Sequence, residues 1–343
     1  MTLPDDPAPR KPRRLGLWGP FALALVLVAA WSGAWVWASG EVGRRMDAAR
    51  ADLDGAGFKI SWGDRKVSGY PFRLDVELGD VSAREPSGWA LAAPRLKAEA
   101  PLYAPDRWVI VLPDGVTFTR PIGGPVRVRA KALRASIASP TRHPPRVAVE
   151  GVDLAFEPLE GATPFFVTAA KRLQFNLRPG PNDQGQVYLL LDQASARLSG
   201  LFGRVAGERP VSLAGDGTFS HASALQGRDW PAAVRAWSAA GGAMAVREVR
   251  VVAGEAVLDA RSGTLSVGYD GRLRGSLTAA LRQAPLALSA MGQEGAIPPE
   301  KASAASAVAA ARAEGEVARM TIDFQAGQTT LGPVAIGPAP RVF

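Results

Sequence analysis

Few residues in this 343-residue chain have the chemistry of a catalyst. His143 and His221 are the only histidines, and there is no cysteine. Thiolate and zinc–thiolate chemistry are therefore excluded, and no metal site or other cofactor is expected. His143 precedes Pro144-Pro145 and reads as part of an extended loop. His221 lies in the run Asp216-Gly217-Thr218-Phe219-Ser220-His221-Ala222-Ser223, where serine and aspartate neighbours invite comparison with a hydrolase triad. Strand alternation sends Ser220 and His221 to opposite faces, and triad members are recognised by their places in space, so no catalytic residue is assigned. The chain has no G-x-S-x-G elbow, H-E-x-x-H, P-loop or G-x-G-x-x-G. Two-carboxylate hydrolysis needs acids roughly 5–10 Å apart in space, which spacing along a chain does not reveal. Asp75/Glu77 and Asp153/Glu157 alternate with apolar residues, as a solvated strand face would.

Those residues sit on elements whose period is two. Phe72, Leu74, Val76 and Leu78 alternate with Arg73, Asp75 and Glu77. Similar alternation recurs in Trp108–Leu112, Val126–Ile137, Val152–Phe156, Leu173–Leu177 and Val187–Leu191. Arg127, Arg129 and Lys131 share one face of their strand. They are candidates for lipid headgroup contact, although a wet strand face needs no ligand. Leu133, Ala135 and Ile137 then take over that parity, which predicts a β-bulge near Ala132–Leu133. Asp270-Gly271 between alternating runs predicts a type I′ hairpin. With Val246–Ala253 and Ala256–Arg261 it makes a four-strand meander, and a last hairpin turns near Ala326-Gly327. Helices are predicted after Asp229-Trp230-Pro231 and over Glu300–Glu314, and Pro179–Gly185 is the natural seam if there are two lobes.

The N-terminus locates the chain. Arg10, Lys11, Arg13 and Arg14 precede Leu15–Ala38, an uncharged, mostly apolar run of 24 residues. About twenty such residues span a ~30 Å hydrocarbon core, and the cations keep the N-terminus cytoplasmic. Trp18 at one edge and Trp31, Trp35 and Trp37 at the other suit the membrane interface, with Leu15 opening the span. A cleaved signal peptide ending at Val36-Trp37-Ala38 is the alternative; the run exceeds the usual apolar core of about 7–15 residues. Either way the body is exported, which argues against nucleic acid as a partner. Val42, Met46, Ala49 and Leu53 continue the helix as a neck through Ala56. The formal charge is +8, of which residues 1–38 carry +2 (four cations less Asp5 and Asp6).

Beginning at Gly57, the chain reads Gly-Phe-Lys-Ile-Ser-Trp-Gly-Asp-Arg-Lys-Val-Ser-Gly-Tyr-Pro-Phe-Arg-Leu-Asp-Val-Glu-Leu. Ser68-Gly69-Tyr70-Pro71-Phe72-Arg73, Tyr103-Ala104-Pro105, Leu331-Gly332-Pro333 and Gly337-Pro338 carry its resemblance to an uncharacterised bacterial family, domain of unknown function 2125. Anchor and amphipathic sheet together are more distantly similar to the AsmA-like envelope proteins. That resemblance implies a β-groove associated with phospholipid transport or outer-membrane assembly; neither resemblance supplies catalytic residues. The strand readings far outweigh the helices, so the sheet either closes on itself or leaves an apolar groove open. The expectation is a mainly β (α+β) protein: an N-terminal transmembrane helix, then a curved, mostly antiparallel sheet in the periplasm. Its function would be non-catalytic, with phospholipid or envelope proteins as partners. A closed structural domain and a dispersed-carboxylate hydrolase are the alternatives.

Overall fold

The computed structural model describes residues 15–196, 209–253, 256–282, 298–311, 313–314, 317–332 and 334–343, with Ser289 and Gly292. Arg10, Lys11, Arg13 and Arg14 lie outside the described residues. Anchor and neck form one helix, α1 (Leu15–Gly55), whose 41 residues extend about 61 Å. It ends where Gly57 takes a φ of +91° and donates its N–H to the Asp54 carbonyl.

The rest is mainly β, built on one long antiparallel sheet. β1 (Lys59–Ser61) and β2 (Arg65–Ser68) share the outer edge of β3 (Arg73–Arg84), which pairs with β4 (Ala90–Pro101). β5 (Arg107–Val111) and β6 (Val116–Arg120) together fill one position between β4 and β7 (Gly124–Ala138). The chain then meanders through β8 (Arg146–Pro158), β9 (Val167–Pro179), β10 (Gly185–Ala196), β11 (Val211–Phe219), β12 (Met244–Ala253), β13 (Ala256–Val267) and β14 (Leu273–Arg282). β16 (Val317–Gln325) pairs with β14 and carries β15 (Ala313–Glu314) and β17 (Gln328–Leu331) on its other side; β18 (Val334–Pro338) follows β17. Pro179–Gly185 is the β9–β10 hairpin loop, with paired strands on both sides.

Among the described residues two helices cover parts of this sheet. α2 (Trp230–Ala239) is capped by Asp229, whose carboxylate accepts the Ala232 N–H at 2.8 Å, with Pro231 in its first turn. It buries Val234 and Trp237 against Phe219, Ala222 and Val267. α3 (Pro299–Ala311) presents Ala302, Ala305 and Ala309 to Ala318, Met320 and Leu331. Small side chains let helix and sheet approach closely. Glu300–Glu314 was expected as helix throughout, but Ala313–Glu314 has joined β16 as a strand.

Three turn readings need correction. The face change in β7 occurs between Ala130 and Leu133, yet β7 and β8 keep one register on both sides. Lys131 and Asp153 are skipped together, with Asp153 at φ 49°. The same matched irregularity occurs at Asp80 in β3 (φ 46°) and Gln193 in β10 (φ 45°), so it crosses several strands rather than forming a one-sided bulge. At Asp270-Gly271 only Gly271 has positive φ. Gly271 N–H reaches the Gly268 carbonyl and Gly268 N–H the Arg272 carbonyl, giving a three-residue loop closed by a left-handed glycine instead of type I′. A two-residue hairpin loop with positive φ at both positions occurs instead at Ala326 and Gly327 (51° and 75°), between the paired Gln325 and Gln328. The four-strand meander is three strands, because Ala256–Val267 runs on through an irregularity at Ser262 (φ 54°).

Candidate functional site

Cross-strand partners in an antiparallel ladder lie on the same face, so the registers show what each face is made of. One row runs Val67, Val76, Ala98, Ile110, Ala135, Val149, Phe175, Leu189, Gly215, Val249, Ala260, Ala279 and Met320. It crosses from β2 to β16 without one polar side chain, about 58 Å along the ladder at ~4.8 Å per strand. The rows beside it repeat the pattern: Trp108–Ile137–Val147–Leu177–Val187 on one side, Leu133–Gly151–Leu173–Leu191–Leu213 on the other.

The opposite face is polar and paired. Glu77 meets Lys97 at 3.6 Å, Arg250 meets Asp259 at 3.6 Å, Arg261 meets Glu248 at 3.0 Å, and Arg134 meets Glu150. Each is a direct cross-strand pair. Exposed pairs of this kind contribute about 0–1 kcal/mol, so they fix register more than stability.

The apolar row is half-buried at Val67, buried at Val76 and again from Ala260 to Met320, and half-open between. Val76 is 3% exposed, Ala260 and Ala279 are 2%, and Met320, beneath α3, is 3%. From Ala98 to Val249 every member is half-buried except Leu189, at 36%. Among the described residues no helix lies over this middle stretch in the hydrophobic clusters; α2 packs at Phe219–Val267 and α3 at Ala318–Leu331. This half-open apolar strip is thus the most extended candidate site.

The end of the strip beside α1 is built by the Ser68–Phe72 segment. Gly69, at φ +98°, turns the chain out of β2, and Arg73 N–H returns to its carbonyl at 2.9 Å. The turn docks on α1. Trp31 Nε1 donates to the Pro71 carbonyl and Trp35 Nε1 to the Arg73 carbonyl, both at 2.8 Å; Ser32 Oγ and Tyr70 OH lie 2.9 Å apart. The Trp35 and Tyr70 rings meet edge-on at 5.6 Å, and Trp31 and Phe72 at 6.4 Å. Trp37, expected beside them, is 64% exposed, and Trp18 is also exposed. Leu15 begins the helix.

The neck is held too. The Arg65 guanidinium grips Asp47 with two hydrogen bonds (2.7 and 3.0 Å), and Lys59 pairs with Asp54 at 2.6 Å. The Arg65 hydrogen bond holds the Asp47 carboxyl below its ordinary value of 3.8, and Lys59 does the same for Asp54. A depressed carboxylate pKa favours the docked state above its ordinary value and loses that contribution as pH falls through the lowered one. Protection of the Arg65–Ser68 amides, taken relative to intrinsic exchange at each pH, is therefore expected to hold from neutrality to about pH 4 and to fall below it. Both acids are exposed, so the effect is local.

The remaining candidates are dispersed. Arg127 sits in the row of Thr117, Ala92, Ser82 and Ser61, at the end of β3 opposite Arg73. Arg129 pairs with Glu157; Lys131 lies at the β7 irregularity. β11 ends at Phe219, and His221 has φ 53°, so Ser220 and His221 are not on opposite strand faces. His221 Nδ1 lies 3.1 Å from Ser220 Oγ, but Asp183 binds the Ser223 N–H and hydroxyl (2.9 and 2.8 Å) instead of the imidazole. No triad forms. Among the described residues there is no cluster of His, Asp and Glu able to hold a metal. A cleft of about 600 Å3 between Trp89, Ile122, Trp230 and Phe343 has Glu85 as the one acidic side chain among its described lining residues.

Fold and site define a class: an amphipathic antiparallel sheet fastened along its edge to an apolar helix long enough to cross a membrane. The family model described as "Uncharacterized protein conserved in bacteria (DUF2125)" matches residues 35–340, and the chain belongs to that family. No curated protein matches it. The docked Ser68–Phe72 turn and the apolar rows both lie within the matched span.

Proposed function

We propose that this is a non-catalytic envelope protein, held by α1 in the bacterial inner membrane with its sheet in the periplasm, and that the apolar face binds phospholipid acyl chains. The observation that carries this reading is the apolar row, half-open from Ala98 to Val249. An apolar strip of this extent is costly to leave in water unless something occupies it. Acyl chains suit it because the strip begins beside the anchor: Leu74 and Val76 follow Arg73, whose carbonyl the Trp35 indole holds. The pairing of Glu77 and Glu157 with Lys97 and Arg129 supports the absence of a carboxylate pair free for hydrolysis.

Leu189 and its neighbour Tyr188 point to opposite faces, Leu189 opposite Phe175 and Tyr188 opposite Asn176. Leu189→Asp should lower the phospholipid retained per chain after detergent exchange by roughly thirtyfold or more, because a carboxylate in an apolar site costs upwards of 2 kcal/mol. Tyr188→Asp should leave it unchanged. Mass spectrometry of the bound lipid reads both; equal retention in the two variants would contradict the proposal.

A further inference from the structure

We propose that the anchor-side end of the sheet is itself a membrane-contacting rim. Phe72 and Tyr103 enter the outer interface of the bilayer, and Arg107, Arg142 and Arg146 bind the phosphates of anionic lipid headgroups. The inference rests on α1 being retained as a membrane span, and is independent of what the apolar face carries.

Depth is the first ground. Leu15 to Ala30 are sixteen uncharged residues, about 24 Å of helix, against a hydrocarbon core of ~30 Å. With the span opening at Leu15, the outer boundary falls near Trp31–Trp35. Tyr70–Arg73 is hydrogen-bonded to those same residues, so the sheet reaches the interface instead of standing clear of it. Phe72 is 65% exposed and Tyr103 82%, at the level where aromatic side chains favour the interface.

Continuity is the second. Leu102 N–H donates to the Phe72 carbonyl at 2.9 Å, and Ser139 N–H to the Asp106 carbonyl at 3.2 Å. The turns at 69–73, 101–107 and 139–146 are therefore linked into one rim.

Charge is the third. Arg107 and Arg146 flank Ala138 in one cross-strand row, with Arg142 in the intervening turn. All three are exposed, and none has an ion-pair partner among the described residues. Elsewhere on the strands Arg95, Lys97, Arg129 and Arg134 each meet an acid, while Arg127 adjoins a row of small and hydroxyl side chains, and at the rim Arg73 meets Glu99. Asp106 is the single acid in the three turns. Unpaired cations gathered at the level of the interface complement a layer of lipid phosphate.

The absence of cysteine makes a single introduced label unique. Full-length Phe72→Cys, Tyr103→Cys and Ile122→Cys, each spin-labelled in nanodiscs of phosphatidylcholine and phosphatidylglycerol, report depth. Ile122 lies in the β6–β7 turn at the far end of the strands and is 93% exposed. Labels at 72 and 103 should be more accessible to oxygen than to a water-soluble nickel complex, and the label at 122 the reverse. Aqueous behaviour at all three sites overturns the rim. In the same discs, Arg107→Gln, Arg142→Gln and Arg146→Gln together should lower phosphatidylglycerol enrichment around the protein, by up to about fivefold per arginine. Unchanged enrichment overturns the headgroup assignment. Neither readout depends on lipid held at Leu189.

Discussion

Trp237→Ala should destabilise the sheet domain by about 3–5 kcal/mol, the range for removing a buried indole. Trp237 is 7% exposed, packs in one cluster with Phe219, Ala222, Val234 and Val267, and donates Nε1–H to the Ser220 carbonyl at 2.7 Å. Its ring leaves no room at Gly242, where a Cβ would lie 2.3 Å from it, so the surroundings are shaped to this side chain. Truncation opens a cavity and leaves the Ser220 carbonyl without that donor. Trp237→Phe keeps most of the volume and loses the hydrogen bond, and should cost about 1–2 kcal/mol. Denaturant titration followed by circular dichroism measures both. A truncation costing no more than the Phe variant would show that the α2 cluster is not a principal core.

The second large effect is local. Gly69→Ala should undock the Tyr70–Phe72 turn from α1 at a cost of about 3 kcal/mol, the sum of a left-handed backbone and a steric clash. A Cβ at Gly69 would stand 2.8 Å from the Arg73 carbonyl oxygen and 2.9 Å from Asp75 Cγ, at φ +98°. Backbone fixes the first contact, so it cannot be relieved by a rotamer change. The expected result is rapid exchange of the Trp31 and Trp35 indole N–H groups, read by NMR, with the unfolding midpoint of the α2 cluster little changed. Indoles that stay protected would show that Gly69 does not set the docking.

Much of this fold was legible because a half-buried strand has a period of two. Phe72–Leu78 and Val126–Ile137 advertised their faces, and Asp229-Trp230-Pro231 its helix start. What periodicity could not show is agreement between strands. The apolar row exists only because thirteen strands share a register, and a slip of one residue in any of them would break it. Lys131 and Asp153 illustrate the same limit: the face change in β7 was readable, while its matching change in β8 required the pair. Asp270-Gly271 misled because a glycine after a type I turn and a glycine inside a type I′ turn look alike in sequence. Trp31 and Trp35 had a readable preference for the interface. That their indoles also hold the Pro71 and Arg73 carbonyls, some forty residues away, is a tertiary fact with one local clue, the left-handed Gly69.

The proposed function stands or falls on whether the apolar face of the sheet carries lipid. Adjacent residues on its two sides test it most directly. A photo-crosslinking amino acid placed at Leu189 or at Tyr188, in the full chain in native membranes, should give phospholipid adducts at 189 and none at 188. Equal labelling of the two positions, or no adduct at 189, would contradict the account.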